Sequence, residues 1–101
     1  MQDTIITYSP HYNKKINIIF NDLERISIPR MSRFLESYTI AVDTITTYVN
    51  SASNPKKEQL IKLNYKFKFF DEYVLIYRIS NKKIIKIMDI FNQKENYQEY
   101  I

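Results

Sequence analysis

The sequence has no glycine, no cysteine, one histidine and no apolar run near the length of a membrane-spanning helix. Each absence narrows what the chain can do. Glycine is usually about 7% of a protein, and its absence excludes the glycine-rich phosphate loops of P-loop and Rossmann proteins. Turns then fall to Asn, Asp, Ser and Pro. Without cysteine there is no disulfide and no thiolate metal site, which fits a reducing cytosol. His11 alone cannot build a histidine metal site or a Ser-His-Asp triad. A spanning helix needs about 20 apolar residues, and neither that nor a secretory h-region is present. The chain is expected to be soluble and cytoplasmic, with no membrane partner, no metal and no cofactor.

What is present suits a single domain over residues 1–101 with one modest core. Fifteen Lys and Arg against eleven Asp and Glu leave a net charge of +4. That balance leans towards acidic partners: nucleic acid, a nucleic-acid-bound machine or an acidic protein. A solvated lysine-rich surface explains it equally well.

Hydrophobic spacing divides the chain. Thr4–Tyr8 (TIITY) reads as a short strand. Ser9-Pro10 is a helix start, with Ser9 as cap and Pro10 in the first turn. Ile16, Ile19, Phe20, Leu23 and Ile26 continue at helical spacing. Ser27-Ile28-Pro29 breaks this helix and opens another. Its stripe runs through Met31, Phe34, Leu35, Tyr38, Ala41, Val42, Ile45, Tyr48 and Val49. The short link predicts an antiparallel helical hairpin. The polar stretch NSASNP, residues 50–55, ends it.

Three strands follow. The alternation in LIKLNYKFKFF, residues 60–70, predicts a strand with an apolar face and a basic face carrying Lys62, Lys66 and Lys68. Asp71-Glu72 supplies a turn, Tyr73–Ser80 a second strand, Asn81-Lys82 another turn, and Ile84–Phe91 a third strand. Such short links make an antiparallel meander. Residues 92–101 read as a short helix or an ordered tail. The fold class is α+β: an N-terminal strand, a two-helix hairpin and a three-stranded meander (β-α-α-β-β-β). The helices pack on one face of a four-stranded sheet, and the other face carries the lysines.

This order, together with YKFKF (Tyr65–Phe69), YVLIYRI (Tyr73–Ile79) and IFNQKENYQEY (Ile90–Tyr100), resembles the RelE/ParE superfamily of type II toxin–antitoxin toxins. The resemblance covers nearly the whole chain. It implies a growth-inhibiting toxin neutralised by a cognate antitoxin that folds onto it. It also allows a homodimer or a toxin–antitoxin hetero-oligomer. RelE-like members cut mRNA in the ribosomal A site, and ParE-like members inhibit DNA gyrase.

In the RelE-type pattern, Lys66 and Lys68 match backbone-binding lysines, Lys94 matches a basic residue after the last strand, and Tyr100 matches a tyrosine near the end. The position of the arginine that stabilises charge at the scissile phosphate is Val74, which cannot do that work. Arg78 shares its strand face, four residues on. The ParE-type pattern tolerates an apolar residue at Val74 and has a long helical hairpin. The resemblance therefore leans towards gyrase inhibition. The alternatives are a metal-independent endoribonuclease using Lys66, Lys68, Lys94 and Tyr100, and a non-toxic interaction module on the same fold.

Lys62, Lys66, Lys68, Arg78 and Tyr97 are the candidate contacts to nucleic acid or a partner protein. The plainer readings are a solvated strand face for the lysines and core-edge packing for the tail tyrosines. For Arg78 the plainer reading is a cross-strand ion pair with Asp71, Glu72 or Asp89. Arg30 and Arg33 read as helix-surface cations pairing with Asp22, Glu24 and Glu36. His11 reads as a surface histidine with nothing nearby in sequence to orient it.

Overall fold

Two serines shape the first half of the chain. β1 (Ile5–Tyr8) leads through Ser9 into α1 (Pro10–Ile26). Ser9 is extended, and its Oγ accepts from the Tyr12 N–H at 3.0 Å. The same hydroxyl donates to the Met88 carbonyl at 2.7 Å, and the Ser9 N–H donates to the Ile87 carbonyl at 2.9 Å. One residue thus caps the helix and ties its start to the last strand. Ser27 closes α1 by donating its N–H to the Leu23 carbonyl at 2.9 Å. It also opens α2 (Ile28–Thr47), its Oγ accepting from the Arg30 N–H at 3.3 Å. With Ser27 extended as the single linking residue, α2 folds back against α1. Tyr12 Oη lies 2.6 Å from Tyr38 Oη, and Phe20 packs edge-on to Phe34, an antiparallel register.

This computed structural model describes residues 4–49, 52–81 and 84–97. After α3 (Glu58–Lys62) come β2 (Tyr65–Phe70), β3 (Tyr73–Asn81) and β4 (Ile84–Asn92). They form a mixed four-stranded sheet in the order β1-β4-β3-β2. The meander is antiparallel, and β1 adds parallel to β4. With no glycine available, the left-handed backbone positions fall to Asn64 (φ 64°) and Asp71 (φ 51°), residue types that tolerate it. Among the described residues, no helix is long and apolar enough to cross a membrane.

The sheet is buried on both sides. The helix side holds Tyr12, Ile16, Phe34, Ala41 and Ile45 against Phe70, Leu75, Tyr77, Ile85, Ile87 and Ile90. Phe34 is central and fully buried, with Phe20, Tyr38, Phe70 and Tyr73 rings around it. Burial raises the pKa of the Tyr12, Tyr38 and Tyr73 hydroxyls and pushes Tyr77 up to about 12. Tyr77 Oη donates to the Val49 carbonyl at 2.7 Å. The opposite side holds a smaller cluster of Phe67, Val74, Ile76 and Phe91.

Three sequence expectations are corrected. The strand expected from Leu60 begins only at Tyr65, because residues 58–62 form α3 and Asn64 breaks the extended run. The segment EQLIK is made of good helix formers, and Leu60 is buried. Lys62 is therefore a helix residue, 3.8 Å from Glu58 across one turn. Secondly, Lys66 and Lys68 do not lie on the face away from the helices. They pair with Tyr77 and Leu75, whose side chains are in the helix-side core. Lys68 stands beside Ser37, Ile40 and Ala41 of α2, and Lys66 Nζ donates to Asn54 Oδ1 at 2.6 Å. Thirdly, Arg30 reaches across to the β2–β3 turn, with Nη1 2.8 Å from Asp71 and Nη2 3.1 Å from Glu72. The Asp71 contact is an ion pair without well-aligned hydrogen-bond geometry. Burial opposes the Arg30 charge, but the two carboxylates outweigh it, and the guanidinium pKa is raised.

Candidate functional site

The sheet face opposite the helices carries the unusual chemistry. Its positions follow from register: Tyr65 opposite Arg78, Phe67 opposite Ile76, and Phe69 opposite Val74 on β2 and β3. On β4, Phe91 lies opposite Val74, Asp89 opposite Ile76 and Lys86 opposite Arg78. A register shift between Ile76 and Tyr77 leaves Met88 as the extra residue of a bulge.

One end of this face is closed. Tyr97 covers it with ring contacts to Phe67 at 5.6 Å, Phe91 at 6.3 Å and Phe69 at 6.4 Å. Val74 lies within this apolar cluster at 0% exposure. Lys15 of α1 reaches over the sheet margin, its Nζ 3.5 Å from the Phe91 ring centroid.

The middle of the face is polar on its α1 side. Asp89 receives Lys15 Nζ at 2.8 Å and His11 Nε2 at 3.2 Å. The carboxylate also accepts from the Ile90 N–H at 2.8 Å. His11 therefore has an orienting partner, 78 residues away in sequence. Asp89 is the partner of α1, not of Arg78. Arg78 instead donates Nε to the Leu63 carbonyl at 3.0 Å and lies 5.8 Å from the Tyr65 ring centroid. Between these groups runs an open groove of about 360 Å³, lined by Ser9, His11, Leu60, Leu63, Tyr65, Ile76, Met88 and Asp89.

The sequence-derived candidates do not converge. Arg78 and Tyr97 lie at opposite ends of this face. Lys62 is on α3, and Lys66 and Lys68 are on the helix side. Lys94 is exposed in the turn after β4, its N–H donating to Asn92 Oδ1 at 2.9 Å. Tyr100 lies outside the described residues. His11, Lys15, Asp89 and Tyr65 were missed as a group, since only the Met88 bulge and the Ser9 tether bring them together. Among the described residues, no group of His, Asp and Glu side chains is arranged to hold a metal ion.

No protein-family model and no curated protein matches the sequence. The structure does match a solved chain of the chromosomal ParDE TA (toxin–antitoxin) system from P. aeruginosa, with a TM-score of 0.67. The match covers 89% of this chain and 96% of that chain, at 12% identity. The chain has the ParDE-type fold. The element order inferred from hydrophobic spacing and the fold implied by the RelE/ParE resemblance are both present. At this identity the likeness speaks for the fold, and the site chemistry has to be argued from this chain's own residues.

Proposed function

We propose that the protein is the toxin of a type II toxin–antitoxin pair. In this reading it is held inactive by a cognate antitoxin in a hetero-oligomer, and it acts in the cytoplasm by binding DNA gyrase. The ParDE-type fold and the sequence resemblance support the toxin reading. The observation that favours binding over cutting is Val74. A RelE-type nuclease needs a cation there, and this chain has a fully buried apolar side chain beneath a tyrosine. Lys66 and Lys68 stand on the opposite side of the sheet from Val74, which speaks against their converging with that position on one phosphate. An inhibitor that works by surface contact needs no such convergence.

A second reading is supported by His11 and Arg78. An imidazole oriented by a carboxylate, on the same sheet face as a guanidinium, supplies a base and a phosphate-binding cation for cleaving RNA without a metal. That nuclease would use His11 as base and Arg78 as the cation that Val74 does not supply. Induction in a bacterial host separates the readings. Filamentation with a DNA-damage response supports gyrase inhibition. Rapid mRNA loss with translation arrest supports the nuclease. Unimpaired growth contradicts both toxin readings and leaves an interaction module.

A further inference from the structure

We propose that the groove between α3 and the start of α1 is a docking site for an acidic, amphipathic polypeptide segment. Its floor and α3 wall are apolar: Leu60, Leu63, Tyr65, Ile76 and Met88. Leu63, which lines the groove, is 47% exposed, so the apolar wall opens to solvent. Leu63 is the C-cap of α3, and an apolar side chain left this open beside an apolar groove marks a surface that a partner can cover.

The rim states the charge of the occupant. Arg78 and Lys86 lie directly opposite each other across β3 and β4, beside Tyr65. Like charges so placed destabilise a sheet, and no ion pair to either is formed among the described residues. Among the described residues, the one carboxylate lining the groove, Asp89, is already engaged by Lys15 and His11. The open end thus presents uncompensated positive charge next to an aliphatic floor.

That combination selects the occupant. A sugar-phosphate chain would satisfy the charge but gain little from Leu, Ile and Met side chains. A segment with an apolar anchor and an acid a turn or two residues away satisfies both. The anchor enters over Ile76 and Leu63, and the acid meets Arg78 and Lys86. If the protein is a toxin, the antitoxin is the natural source of this segment. Only that identification depends on the toxin reading; the docking site does not.

The test is panning a random dodecapeptide phage library against the full chain, then measuring affinities of the selected peptides. The expected peptides combine an aliphatic or aromatic residue with Asp or Glu. Their affinity should fall by about tenfold or more in Arg78→Glu and in Leu63→Glu, and be unchanged in Ile40→Ser on α2, beside Lys68 on the other face of the sheet. If Leu63→Glu disturbs folding by circular dichroism, Leu63→Ser and Lys86→Glu replace it. Peptides that lack acids, that bind Arg78→Glu as well as the parent, or that are lost only in Ile40→Ser overturn the proposal. So does failure to select any peptide. Displacement of the selected peptides by a decamer of uridylate, with the decamer binding more tightly than they do, assigns the groove to nucleic acid. Growth inhibition is not read in this experiment, so loss of the toxin reading leaves its outcome intact.

Discussion

Val74→Arg restores, on paper, the cation that a RelE-type nuclease needs. In this fold it should instead unfold much of the protein. Val74 is 0% exposed among Phe67, Ile76 and Phe91, under the Tyr97 ring. The nearest cross-strand carboxylate on that face is Asp89, which Lys15 and His11 already hold. An arginine there adds volume to a filled cluster, at about 1–3 kcal/mol, and leaves a poorly paired buried charge, at about 3–5 kcal/mol. A domain of this size has about 5–15 kcal/mol in total. Val74→Ala is the calibrating variant. It loses two methyl groups and opens a small cavity, for about 2 kcal/mol. Urea unfolding followed by circular dichroism should show the arginine variant losing more than the alanine variant. For the latter the midpoint should drop by about 1 M, since slopes of about 1–3 kcal/mol per M are usual. An arginine variant with the parent's midpoint would refute the packing described for this face. The side chain would then reach solvent, and the nuclease reading would regain its missing cation.

Other outcomes follow from particular contacts. Tyr77 stays protonated when folded to about pH 12 but ionises near pH 10 when unfolded, so the unfolded state binds fewer protons between those values. Its contribution is constant below about pH 10 and falls by roughly 2–3 kcal/mol towards pH 12, and the raised Tyr12, Tyr38 and Tyr73 add to the fall in the same direction. Tyr77→Phe should make that fall shallower by Tyr77's share while costing about 1 kcal/mol at neutral pH through the lost bond to Val49; thermal melts across the alkaline range check both. Asn64→Ala should cost about 1–2 kcal/mol because Asn64 sits at φ 64°, whereas Asn64→Gly should be neutral or slightly stabilising by urea midpoint. Arg30→Met should cost about 1–3 kcal/mol, mostly through Asp71, since Glu72 is largely exposed and its pairing is screened. High salt should recover little of that loss.

The helical hairpin was readable because its signals are local. Ser9-Pro10 and Ser27-Ile28-Pro29 are capping and helix-opening patterns, and the stripes through Phe34, Ala41 and Ile45 repeat at helical spacing. The meander was readable because only turns of two residues or so separate its strands. The short α3 was not, since one turn of helix inside an alternating run leaves no periodicity of its own. The wrong face for Lys66 and Lys68 has a related cause. Residues 74–77 of β3 are buried on both sides, so alternation on the edge strand does not say which side the helices cover. Lysines on an edge strand can sit on the helix side and still reach water past the sheet margin. The His11–Asp89–Lys15 group was out of reach because it depends on a bulge at Met88 and a tether at Ser9. Arg30 was assigned to its own helix for the same reason: its partners are across the sheet, 41 and 42 positions away.

Binding without cutting is the central claim, and purified components test it most directly. Relaxed plasmid, gyrase and ATP are incubated with the protein, while a parallel reaction contains translating ribosomes and a labelled mRNA. The expected result is loss of supercoiling or accumulation of cleaved plasmid, with the mRNA intact. Normal supercoiling together with mRNA cut in the ribosomal A site would contradict it.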